Sequence, residues 1–127
     1  MYNETTSMNK SGYQYINLEY MEMMSDGDDS MKKIMLEMLI TELPEELQKM
    51  TNCIASSNWE EMCSVSHKMK STLAFVGNDS MTTANREIES LTKSASGGMP
   101  TVSNHMTTLN DLCPGVVEEL KKEMNKL

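Results

Sequence analysis

His67, Lys70 and Ser71 are the residues of this 127-residue chain whose types and spacing could carry chemistry. Residues three and four apart lie on one face of a helix, so the lysine and the serine share neighbouring ground with the histidine, one turn along. A neutral imidazole keeps a lone pair on one ring nitrogen and can attack phosphorus in line without a separate base. The transferred group spreads negative charge over its equatorial oxygens, and an ammonium nearby stabilises that charge. The pattern suits phosphoryl transfer through His67, with Lys70 as the cation. Ser71 either donates a hydrogen bond or keeps the approach open.

Such a nucleophile must stand in water on a rigid support. Met62, Val65, Met69, Thr72, Leu73 and Val76 form the apolar stripe of one helix, and His67 projects roughly 175° away from that stripe at about 100° per residue. Cys63, Ser64, Ala74 and Asn78 surround the trio, so small side chains and one cation make up the surface, and a bulky partner can come close to the ring. Asn58-Trp59-Glu60-Glu61 has the form of a capping box that starts this helix. Gly77-Asn78 supplies its stop.

The other elements follow from the same spacing. Residues 1–13 are polar and aperiodic and read as a loose leader before a domain spanning 14–127. Tyr15 to Met24 can form a short helix, ended by the turn-rich SDGDD at 25–29. Met31, Ile34, Met35, Met38, Leu39, Leu43, Leu47, Met50 and Ile54 recur at three and four residues, with a kink or short break expected at Pro44. Asn78 or Asp79 caps a further helix with the stripe Met81, Ala84, Ile88 and Leu91, and SASGGMP at 94–100 is a loop. Val102, Met106, Leu109, Cys113, Val116, Leu120 and Leu127 mark the last segment, which Pro114-Gly115 leaves as one bent helix or two short ones. Four long helices joined by short loops predict an all-α antiparallel four-helix bundle with a short extra N-terminal helix.

Composition supports this reading and narrows the partners. Fifteen methionines among few aromatics suit helix packing. Eleven Lys and Arg against 19 Asp and Glu give a net charge of −8, which disfavours nucleic acid and anionic membrane. No apolar run approaches the roughly 18 residues needed to cross a bilayer, and MYNETTSMNK lacks the apolar centre of a signal peptide, so a cytoplasmic protein is expected. Cys53, Cys63 and Cys113 are widely spaced and read as reduced thiols. No spacing of carboxylates and histidines demands a metal.

The stretch His67-Lys68-Met69-Lys70-Ser71-Thr72-Leu73-Ala74-Phe75-Val76-Gly77 resembles the signature of histidine-containing phosphotransfer (HPt) domains, H-x-x-K-G with a second glycine ten positions after the histidine. The likeness extends over roughly residues 15–127. It implies that His67 is the phosphoacceptor, Lys70 the phosphate-side cation, and Gly77 a small residue that permits close helix or partner contact. Ser71 departs from the family's glycine, but serine too is small enough to leave the approach open. The resemblance further implies a monomeric carrier with no active site or cofactor of its own. The aspartate that exchanges the phosphoryl group, and its Mg²⁺, would belong to a partner receiver domain or a hybrid sensor histidine kinase. Cys63, Ser64, Lys68, Ala74, Phe75, Gly77 and Asn78 are the candidate partner-facing residues.

Two other functions fit the same residues. A helical adapter could bind a receiver or sensor kinase without chemistry, or a separate histidine kinase could phosphorylate the domain directly, since no ATP-binding motif lies in the chain. His105 has no H-x-x-K context and reads as structural or merely exposed. Trp59 is a packing anchor, and Phe75 either packs against a neighbouring helix or joins a docking patch.

Overall fold

The computed structural model describes residues 12–94 and 99–127; the expectations for residues 1–11 and for 95–98 of the SASGGMP loop lie outside the described residues. Among the described residues five helices follow in order: α1 (Glu19–Ser25), α2 (Asp29–Ser56), α3 (Trp59–Val76), α4 (Asp79–Lys93) and α5 (Met99–Asn125). Two-residue turns at Ser57-Asn58 and Gly77-Asn78 reverse the chain, and α3 packs against α2 and α4 while α5 closes the ring against the same two helices. The long helices make the expected four-helix bundle, and α1 lies against α2 and α3. No helix among the described residues is long and apolar enough to cross a membrane.

The core follows the stripes expected for α3, α4 and most of α5, but the first half of α2 departs from its stripe: Leu36 and Leu39 turn inward while Met31, Ile34 and Met38 are exposed, as is Leu127. Met50, Met62, Met69 and Met81 are fully buried with Leu36, Leu43, Leu73, Ile88, Leu109 and Leu120. Pro44 and Pro114, in contrast, sit inside continuous helices. Pro44 lies on the exposed side of α2 between buried Leu43 and Leu47, so packing on both sides holds the direction although one backbone bond is absent. Pro114 likewise lies within α5, and that helix also takes in Met99 and Pro100, which the sequence reading assigns to the loop.

The N-terminal end differs more. The first helix starts at Glu19, four residues later than the Tyr15 start expected, because residues 13–18 are held as a non-helical strap across the end of the bundle. The Glu119 carboxylate accepts the backbone N–H groups of Gln14, Tyr15 and Ile16 at 3.0, 2.7 and 3.2 Å. Asn17 N–H donates to the Val76 carbonyl at 2.9 Å. Tyr13, placed in the leader by its polar surroundings, is buried, and its hydroxyl donates to Glu123 at 2.7 Å. Glu123 also accepts from the buried Lys32, which pairs with Glu22 of α1 as well. Burial works against the Lys32 charge, but the two carboxylates outweigh it and hold the ammonium above its ordinary range.

Two glycines make this strap possible. Gly77 has φ +73 at the end of α3, and a Cβ there would collide with the Asn17 carbonyl oxygen. At Gly115 a Cβ would lie 2.6 Å from the Tyr15 ring. The strap docks only because both side chains are missing.

Candidate functional site

The site is carried by the middle of α3, and its support begins with the ends of that helix. Asn58 accepts the Glu61 N–H at 3.2 Å, which caps the first turn. Asn78 does the same for α4 through the Met81 N–H at 3.0 Å. Between these ends Met62, Val65, Met69, Leu73 and Val76 are buried, which turns the opposite side of α3 to water. His67 stands there with its side chain 71% exposed.

The register between α3 and α4 is fixed by a buried polar pair beside the histidine. Ser66 Oγ donates to Asn85 Oδ1 at 2.7 Å, and Asn85 Nδ2 returns a bond to the Ser66 carbonyl at 3.0 Å. Both residues are almost wholly excluded from solvent. Polar groups in a dry seam must meet their partners, so this exchange admits one alignment of the two helices. One turn beyond Asn85 on α4 comes Glu89.

Glu89 binds both His67 and Lys70 of α3 at once. Its Oε2 lies 2.8 Å from His67 Nδ1, and its Oε1 lies 2.9 Å from Lys70 Nζ. The Lys70 hydrogen bond, helped by His67 and opposed by partial burial, holds the Glu89 carboxyl below its usual range. An ionised carboxylate can only accept, so Nδ1 of His67 carries a proton, and in the neutral ring the lone pair is on Nε2. The nitrogen left open to a partner is thus the one not engaged by the protein's own carboxylate.

The remaining predicted residues fall into two groups. Ser64, Lys68, Lys70, Ser71 and Ala74 are exposed on α3, and Cys63 is half-buried; these share the His67 surface. Phe75 is half-buried and stacks on Tyr20 of α1, with ring centroids 5.1 Å apart. Gly77 and Asn78 serve the chain's own strap: Gly77 admits Asn17, and Asn78 Nδ2 donates to the Tyr15 carbonyl at 2.9 Å. His105 is half-buried on α5, away from α3.

Sequence reasoning missed Glu89 and the Ser66–Asn85 pair. A signal was present: Asn85 falls within the apolar stripe of α4 between Met81 and Ile88, and a polar residue at a core position implies a buried partner. Glu89, four residues further, then shares the edge that faces α3.

The family model of the Hpt domain matches residues 34–127, the greater part of the chain, including His67, Lys70 and Glu89. No curated protein and no solved structure matches the sequence. Hpt domains perform histidine phosphotransfer in two-component signalling and interact with receiver domains or kinases. With the helical bundle and an open histidine on its third helix, the match makes this chain a member of the Hpt domain family.

Proposed function

We propose that His67 takes a phosphoryl group from the aspartate of one receiver domain and hands it to the aspartate of another, as an intermediate in a multistep phosphorelay in the cytoplasm. The observation that supports this best is Glu89 holding Nδ1 while the ring stands in solvent. In the forward step the Nε2 lone pair attacks phosphorus of the aspartyl phosphate. The new N–P bond forms as the P–O bond to the aspartyl carboxylate breaks, and the freed carboxylate leaves with the electron pair. No proton has to move, because Nδ1 keeps its own and remains bonded to Glu89. The return step is the reverse, onto a second aspartate.

Lys70 lies one turn from the ring and contributes positive charge beside the phosphoryl oxygens. Ser71 and Ala74 keep the approach low. Mg²⁺ belongs to the receiver, and this chain acts as a monomeric carrier of a group that its partners activate.

Incubation with a phosphorylated receiver domain tests the reading. The expected product is an acid-labile, alkali-stable phosphate on the wild-type chain that is absent from His67→Ala. A wild-type chain left unlabelled by every receiver and hybrid kinase of its host would refute it. An adapter that works without chemistry predicts instead that His67→Ala leaves the biological response intact.

A further inference from the structure

Beside His67 the bundle surface opens into a groove that phosphoryl chemistry alone does not require. It runs between the first half of α3 and the second half of α4, has a cavity volume of about 600 Å³, and includes Trp59, Cys63, Thr92 and Lys93 in its lining, with His67 itself forming part of the wall. We infer that this groove is a docking slot for an apolar side chain of the receiver domain, one that projects from the receiver surface next to its phosphoacceptor aspartate. The inference deepens the phosphorelay reading and rests on it.

Three observations favour that occupant. First, the groove and the nucleophile share a wall, so a protein that brings an aspartyl phosphate in line with Nε2 also covers the groove. A free small molecule has no such reason to be there. Second, Trp59 and Cys63 are half-buried and give the slot an apolar surface, while Lys93 and Glu60 at its edge are exposed. An apolar recess inside a polar rim is the form of a protein anchor site, where a covered but unfilled cavity would forfeit contacts. Third, the slot is rigid: Ser66 and Asn85 clamp the two helices that form it, and Thr92 is tied to its own helix through the Ile88 carbonyl at 2.8 Å. A preformed slot selects by shape, which would let the chain distinguish between receivers whose catalytic residues are alike.

Trp59 is the sole tryptophan of the chain, so the slot carries its own reporter. With a tryptophan-free receiver domain that labels His67, complex formation is expected to reduce acrylamide quenching of Trp59 fluorescence about twofold or more, because an anchored side chain excludes the quencher. Cys63→Phe, which fills the slot from within, is expected to slow transfer from that receiver to His67 roughly tenfold. Trp59 remaining equally open to acrylamide in a complex that transfers its phosphoryl group would overturn the assignment, and the quenching measurement uses the unsubstituted chain. Failure of every receiver to label the wild type would instead remove the phosphorelay reading beneath it.

Discussion

Ser66 and Asn85 exchange hydrogen bonds across the seam between α3 and α4, one residue before His67 and one turn before Glu89. The pair couples stability to chemistry. If α4 slid or turned against α3, Glu89 would lose Nδ1.

Asn85→Ala is therefore expected to cost about 1–3 kcal/mol, since it removes both side-chain bonds of the pair from a dry seam and leaves the Ser66 hydroxyl only the backbone carbonyl of residue 85, at 3.1 Å. Chemical denaturation measures this. The same variant should also slow labelling of His67 by a phosphorylated receiver, whereas a purely structural pair would leave the rate of the still-folded protein unchanged.

Glu89→Ala separates the two effects in the other direction. Its partners are well exposed, so stability should change by no more than about 1 kcal/mol. The rate of His67 phosphorylation should fall on the order of 10- to 100-fold, as the ring loses the group that fixes its tautomer. Glu89 has a depressed pKa, so its ionised form and the anchoring it provides are present above the ordinary carboxylate range. They are lost as pH falls through the lower folded value. Initial rates measured against pH should show this acid limb in the wild type and not in Glu89→Ala.

Much of this was legible from spacing. The stripe of α3 placed His67 in solvent because the 3.6-residue period leaves little choice of direction once Met62, Met69 and Val76 are buried. Asn58 and Asn78 marked helix starts for a reason equally local. What was not legible depends on distant partners. The non-helical residues 13–18 have no period of their own, and Gln14, Tyr15 and Ile16 take their bonds from Glu119, more than a hundred positions away. Pro44 and Pro114 break helices by local rule, and only the buried neighbours on both sides overrule it. Glu89 is legible only in part: Asn85 one turn earlier marks the edge of α4 that meets a neighbour, but nothing on α4 alone says that the carboxylate meets His67 and Lys70.

Glu46 yields a pH prediction of opposite sign. It is 3% exposed on α2, and neither carboxylate oxygen has a hydrogen-bond partner among the described residues. Burial raises its pKa; Thr72 and Lys68 of α3 and Lys49 of its own helix oppose the rise, and Glu42 adds to it. A carboxyl with a raised folded pKa favours the native state fully below its unfolded value, and that contribution disappears as pH climbs through the folded one. Stability followed by thermal or urea unfolding should therefore decline over that interval. Glu46→Leu should abolish this part of the slope and gain about 1–3 kcal/mol at neutral pH.

Gly77→Ala tests the strap. The left-handed backbone and the Asn17 carbonyl both oppose a methyl group there, and a loss of about 2–3 kcal/mol is expected from unfolding curves. If the strap releases before the bundle melts, amide exchange at Gln14, Tyr15, Ile16 and Asn17 should accelerate while that of α3 does not.

The ion pair of Lys70 with Glu89 bears on the energetics of the carrier. A free ammonium beside His67 would bind a phosphorylated ring strongly and deepen that state into a sink. Because Lys70 is already half-committed to a carboxylate 2.9 Å away, the incoming dianion obtains only a shared cation and meets the repulsion of Glu89 as well. If His67 carries the phosphoryl group as proposed, the phosphorus–nitrogen bond keeps a high group-transfer potential, and transfer would run either way with the relative abundance of charged and empty partners.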